Sequence, residues 1–114
     1  MSDLNELQNL VVQFRDERNW KQFHTPKDQA IGIMLEAAEF AEHFRWKTES
    51  EMKEYIKNNK KEIAEEVVDV LYWVLLIAHD FNIDLATTFK AKMIKNIAKY
   101  PLEKFKGDNK KVLE

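Results

Sequence analysis

The stretch Lys60-Lys-Glu-Ile-Ala-Glu-Glu66-Val-Val-Asp69-Val-Leu-Tyr-Trp73-Val-Leu-Leu-Ile-Ala78-His-Asp80 decides the fold. It contains neither glycine nor proline, and its apolar residues follow a helical rather than an alternating pattern. Glu62, Glu66, Asp69 and Trp73 fall in one stripe of that helix. Beyond Val67 the remaining positions are apolar on every side: Val68, Val70, Leu71, Val74, Leu75, Leu76 and Ile77. A helix that is apolar all round is buried all round. A small helical chain does not enclose one helix completely, so subunit contact is expected.

The rest of the chain continues the helical reading. With two glycines and two prolines in 114 residues, and few strand signals, the fold class is all-α, a bundle of four to five helices in one domain spanning 1–114. A first helix is expected from about Leu4 to Arg18, with Leu7, Leu10, Val11 and Phe14 facing inward. Thr25-Pro26-Lys27-Asp28 opens the second, with Thr25 as N-cap, Pro26 at the first helical position and Asp28 near the positive end of the dipole. That helix is expected to run to about Trp46, followed by a short one over Ser50 to Lys57 and a break at Asn58-Asn59. Asp84 is the natural cap of the last long helix, which Tyr100-Pro101 ends. The lysine-rich tail over 102–114 reads as loosely ordered.

Composition removes several classes of function. Eighteen basic and twenty acidic side chains give a formal charge of -2, so charge points to neither a nucleic acid polymer nor a membrane surface. There is no cysteine, hence no disulfide framework and no thiolate site. The polar, acidic start Met1-Ser2-Asp3-Leu4-Asn5-Glu6 is unlike a signal peptide. The Val67–Ala78 run falls short of the roughly 20 apolar residues a bilayer requires. A cytoplasmic protein is expected.

Two carboxylate pairs carry the chemistry, Glu36-Ala-Ala-Glu39 and Glu66-Val-Val-Asp69. Spacing of i and i+3 places both members on one helix face. Asp3/Glu6, Glu51/Glu54 and Glu62/Glu65 share the spacing but lie among polar neighbours, where such pairs are solvated. The two chosen pairs are set among apolar residues, where an ionised carboxylate is costly unless it is paired or binds metal. Four converging from two helices suit a hard cation with oxygen ligands, Mg²⁺ first and Mn²⁺ as a substitute. Gly32, Glu36, Glu39 and His43 share a face, and a glycine there is either a tolerated small residue or a point of close approach. His43 is placed at the rim of the site. On the last long helix Lys92, Asn96 and Lys99 form one stripe suited to phosphate oxygens.

Glu36-x-x-Glu39, a gap of 26 residues, Glu66-x-x-Asp69 and then Lys92-x-x-x-Asn96 resemble the MazG-type all-α nucleoside triphosphate pyrophosphohydrolases. The resemblance extends over almost the whole chain. The segments from Arg15 to His24 and from Phe44 to Lys47, with Lys99-Tyr100-Pro101, look most like the small dCTP pyrophosphatase branch. It implies a homodimer or homotetramer that hydrolyses a (deoxy)nucleoside triphosphate such as dCTP to the monophosphate and pyrophosphate. By similarity Glu36, Glu39, Glu66 and Asp69 hold Mg²⁺, and Lys92, Asn96, Lys99 and Tyr100 hold phosphates. Trp20 and Trp46 match positions around the base, and Trp73 resembles an aromatic pocket residue. Mammalian dCTP-hydrolysing relatives carry a histidine where this chain has Val11. That difference leaves thymine, 5-substituted cytosine and broad deoxynucleotide use open.

A divalent cation at the acid pairs would neutralise charge developing at the α-phosphorus. Crowding of like charges should raise the pKa of one carboxylate, making a base of it. Glu39 is the first choice, Glu36 the second, and Glu65 an indirect contributor. Two rival readings stay open: a phosphoribosyl-ATP pyrophosphohydrolase-like enzyme, and a non-enzymatic helical oligomerisation module.

Overall fold

A computed structural model describes residues 3–108. It contains α1 (Asp3–Glu17), a 3-10 turn (Lys21–Phe23), α2 (Pro26–Glu42), α3 (Glu49–Asn58), α4 (Lys60–Asp80), α5 (Leu85–Lys99) and a single-turn α6 (Leu102–Phe105). There is no strand among the described residues, so the chain is all-α as expected. Of the tail over 102–114, expected to be loosely ordered, Leu102–Phe105 form α6, and the residues beyond 108 lie outside the described ones. No helix among the described residues is long and apolar enough to cross a membrane.

Local chemistry accounts for most boundaries. Thr25 Oγ1 accepts the Asp28 N–H at 3.2 Å, and Pro26 occupies the first turn of α2. Asp84 Oδ1 accepts the Thr87 N–H at 3.0 Å and starts α5. Asn19 and Asn82, with φ of 55° and 57°, follow α1 and α4 in the left-handed region that asparagine tolerates. One boundary differs from expectation. α2 ends at Glu42 rather than near Trp46, because α3 starts with a capping box that fixes the approach to it. Thr48 N–H donates to Glu51 Oε1 at 2.8 Å, while Thr48 Oγ1 accepts from Glu51 N–H at 3.3 Å.

The chain divides into two compact units, Met1–Asn82 and Ile83–Glu114. In the first, α4 packs against α1, α2 and α3. Its C-terminal half is the core, with Leu75, Leu76 and Ala78 buried. Its N-terminal half is not enclosed: Val67 and Val68 are exposed. The inward face expected of α1 is likewise only partly covered, since Leu7, Leu10 and Phe14 remain exposed and Val11 is half-buried. That face borders a cleft instead of a closed core. The second unit holds α5 and α6, where the Tyr100 ring stands edge-on to Phe105 at 5.1 Å.

Candidate active site

The close approach of α2 and α4 begins at Gly32. A Cβ built there would fall 2.6 Å from Cε2 of Trp73, in the middle of a rigid indole. Glycine is therefore needed for contact with α4, which resolves its presence in a helix interior. One turn further along α2 stands Glu36, with Glu39 beyond it, facing Glu66 and Asp69 of α4.

The electrostatics of Glu36 register all four carboxylates. Burial pushes its carboxyl above the usual range, and the charge of Glu39, a carboxyl–carboxyl contact with Glu39, and the charges of Asp69 and Glu66 push it further. Glu36 Oε2 and Glu66 Oε2 are buried without a hydrogen-bond partner. Glu39 and Asp69 are exposed, so Asp69 is not embedded as its apolar neighbours suggested; Val67 and Val68 beside it are themselves uncovered. Among the described residues no three His, Asp or Glu side chains are set, as they stand, to hold a metal ion.

His43 lies deeper than the rim position expected for it. Its Nδ1 is 2.5 Å from the Tyr55 hydroxyl, and its Nε2 is 2.5 Å from Glu66 Oε2. The second contact is close but not a directed hydrogen bond, for both atoms otherwise lack a partner. Glu39, Glu42, His43, Tyr55 and Glu66 line a cavity of about 320 Å³ on this side of the cluster.

On the other side opens a cleft of about 540 Å³. Glu36 and Asp69 form its polar end, and Leu10, Val11, Phe14, Trp20, His24, Tyr72 and Trp73 form its walls. The rings support one another: Phe14 meets Trp20 edge-on at 5.6 Å and Tyr72 at 6.2 Å, and Trp73 packs on Tyr72 at 5.6 Å and His24 at 5.1 Å. Burial lowers the His24 pKa, as does the charge of Arg15, against the opposing influence of Asp80 and Asp28. These influences disfavour the charged imidazole, and its buried Nδ1 has no hydrogen-bond partner. An apolar, ring-lined cleft that includes two carboxylates can take a flat ring beside a group attracted to negative charge.

Of the residues singled out by sequence, Trp20, Trp73, Glu36 and Asp69 meet in this cleft, together with Val11. Glu39 and Glu66 face the smaller cavity. Trp46 lies outside both, 81% exposed, with the Arg45 guanidinium 4.7 Å from its ring. Lys92, Asn96, Lys99 and Tyr100 belong to the second unit, where Tyr100 N–H donates to the Asn96 carbonyl at 2.9 Å. Sequence reasoning missed His24 and Tyr72 as cleft residues, although each lies within four residues of a tryptophan it had singled out.

Comparisons with known proteins identify the family. The MazG-like family profile matches residues 31–114. Human dCTP pyrophosphatase 1 (Homo sapiens) is 30% identical over 113 residues, covering 97% of this chain and 66% of the relative. The Rattus norvegicus dCTP pyrophosphatase 1 is 32% identical over 106 residues, covering 91% and 62%. The chain thus spans just under two thirds of the length of these curated relatives. A crystal structure of a pyrophosphatase from Archaeoglobus fulgidus superposes with a TM-score of 0.83 at 37% identity, over 89% of this chain and 94% of that one. The match of the MazG-like profile over residues 31–114, with a structural neighbour at 37% identity, shows that the chain belongs to the MazG-like family.

Proposed function

We propose that this protein is a Mg²⁺-dependent nucleoside triphosphate pyrophosphohydrolase, cleaving a (deoxy)nucleoside triphosphate such as dCTP to the monophosphate and pyrophosphate. The observation that carries the reading is the crowding of Glu39, Glu66 and Asp69 around a raised Glu36 at the polar end of an aromatic cleft. The relatives named as dCTP pyrophosphatase 1 and as a pyrophosphatase support it.

The donor set fits a hard divalent cation. All four candidates are carboxylates, and two of their oxygens are buried without a hydrogen-bond partner. Glu36, Glu39, Glu66 and Asp69 would hold it, with Mn²⁺ as a substitute. When bound, the cation supplies positive charge that offsets the charge developing on the phosphates. The chain's own residues do the rest. Trp20 and Trp73 hold the base between aromatic walls; Trp46, and Lys92, Asn96, Lys99 and Tyr100 of the second unit, are assigned to base and phosphates by the family resemblance alone. Glu39, exposed and beside Glu36, accepts the proton of the attacking water, with Glu36 as the alternative base. Val11 gives the wall no hydrogen-bonding group, a surface compatible with thymine or a 5-substituted cytosine as well as cytosine.

The exposed Val67 and Val68 of α4 support a homodimer or homotetramer, which sedimentation at micromolar concentration tests; a stable monomer counts against it. The activity is tested by product analysis over a nucleotide panel with and without Mg²⁺. Monophosphate and pyrophosphate should appear in equal amounts, only with the cation. Release of orthophosphate, or no turnover of any triphosphate, contradicts the reading.

A further inference from the structure

A second polar cluster is built from residues that line neither cavity. Arg15 of α1 is fully buried, Gln29 of α2 is 1% exposed, and Asp80 is the last residue of α4. Arg15 Nη1 and Gln29 Nε2 both donate to one oxygen of Asp80, Oδ2, at 2.6 Å each. Arg15 Nε donates to Asp16 at 3.1 Å, and the other Asp80 oxygen lies 3.2 Å from His79 Nδ1. One carboxylate therefore ties together α1, α2 and α4, the helices that bound the cleft.

The tie reaches the cleft through the backbone. The Arg15 carbonyl accepts the N–H groups of both Arg18 and Trp20, at 3.2 Å each, as α1 ends. The residue whose guanidinium is fixed to Asp80 is thus the one whose carbonyl fixes Trp20. Gln29 N–H donates to the carbonyl of Thr25, next to His24, at 2.9 Å. Buried ion pairs are weak stabilisers, because desolvation offsets much of their attraction and apolar residues of similar volume often replace them without loss. Control of geometry accounts for this cluster better than stability does.

We propose that Asp80, acting through the buried Arg15 and Gln29, is a positioning residue that sets Trp20 and His24 in the cleft wall and so governs affinity for the base. The proposal rests on the pyrophosphohydrolase reading, and its test separates the two. Three proteins are compared: wild type, Asp80→Asn, and the triple variant Arg15→Met, Gln29→Leu, Asp80→Leu, which fills the same space with apolar atoms. KM and kcat for the preferred nucleotide and the melting temperature are measured for each.

Asp80→Asn should raise KM about 10-fold with kcat within about twofold, since a wall displaced by a fraction of an ångström costs binding before chemistry. The triple variant should melt near wild type and keep the raised KM. A triple variant with wild-type KM, or an Asp80→Asn protein with lowered melting temperature and unchanged KM, overturns the proposal. If the triple variant does not fold, the KM of Asp80→Asn decides. If wild type hydrolyses no nucleotide, the pyrophosphohydrolase reading fails by itself. Positioning is then read in a Trp46→Phe, Trp73→Phe background, where Trp20 is the sole tryptophan. Acrylamide quenching of its fluorescence should increase on Asp80→Asn, and unchanged quenching overturns the proposal.

Discussion

The two ends of α4 treat carboxylates in opposite ways. At the C-terminal end Asp80 receives hydrogen bonds from Arg15, Gln29 and His79, and these outweigh its burial to hold its carboxyl at about 2. Near the N-terminal end Glu66 and Asp69 face Glu36 and Glu39, and the Glu36 carboxyl is pushed up instead. The first cluster carries a permanent cation, Arg15; at the second the basic group set against an acid is the His43 imidazole, beside Glu66. The oxygens of Glu36 and Glu66 that are buried without a hydrogen-bond partner are costly as ions, which motivates the cation proposed there. The compensated cluster needs no partner from solution.

The contrast is broken most severely at Asp69. Asp69→Asn keeps the shape of α4 but removes one negative charge from the uncompensated cluster. Turnover at saturating nucleotide should fall at least about 10²-fold, the scale of losing a main electrostatic contribution to a transition state, with helicity by circular dichroism unchanged. Near-normal turnover would remove Asp69 from the site.

The compensated end should show itself in acid. A carboxyl at about 2 in the folded chain, against an ordinary value of 3.8, contributes stability that is complete above pH 3.8 and lost as pH falls through 2. The contribution is about 2 kcal/mol, and Asp80→Asn should flatten that part of the denaturation profile. An unchanged profile would mean that the ion pair seen at 2.6 Å is not maintained in solution.

Gly32 links the two ends by letting Trp73 lie against α2. Gly32→Ala gains about 1 kcal/mol of helix propensity but overpacks the indole, at a cost of about 1–3 kcal/mol. Its urea midpoint should fall, and a rise would show that the indole has room to move. The smallest effect is expected at Glu36. Since its pKa is raised, the metal-free chain loses stability as pH climbs through that raised value. Glu36→Gln should therefore melt above wild type at pH 7 without cation, and the difference should vanish below the ordinary carboxylate range. A Glu36→Gln protein that melts below wild type would mean Glu36 is compensated after all.

Much of this molecule is legible in its sequence, and the exceptions have physical causes. α4 reads correctly from Lys60 to Asp80 because its apolar run and its flanking asparagines are local signals. Thr25 and Asp84 are found because a cap acts within three residues. The end of α2 is misread because Phe44 and Trp46 continue the helical pattern, and the stop is imposed by the Thr48–Glu51 box of the next helix. The acid pairs are recognisable from spacing and apolar company. Their orientation is not, and Asp69 proves exposed. Nothing near Arg15 in the sequence signals its burial; its partner Asp80 is 65 residues away. His24 and Tyr72 likewise look like isolated aromatics until the fold places them around Trp73.

The central proposal is that Glu36, Glu39, Glu66 and Asp69 hold a divalent cation. Calorimetric titration of Mg²⁺ into the nucleotide-free wild-type chain and into Asp69→Asn at pH 7 tests it most directly. The account predicts saturable binding to wild type and at least tenfold weaker binding to Asp69→Asn. Equal affinity in the two proteins, or no binding to wild type, would contradict it.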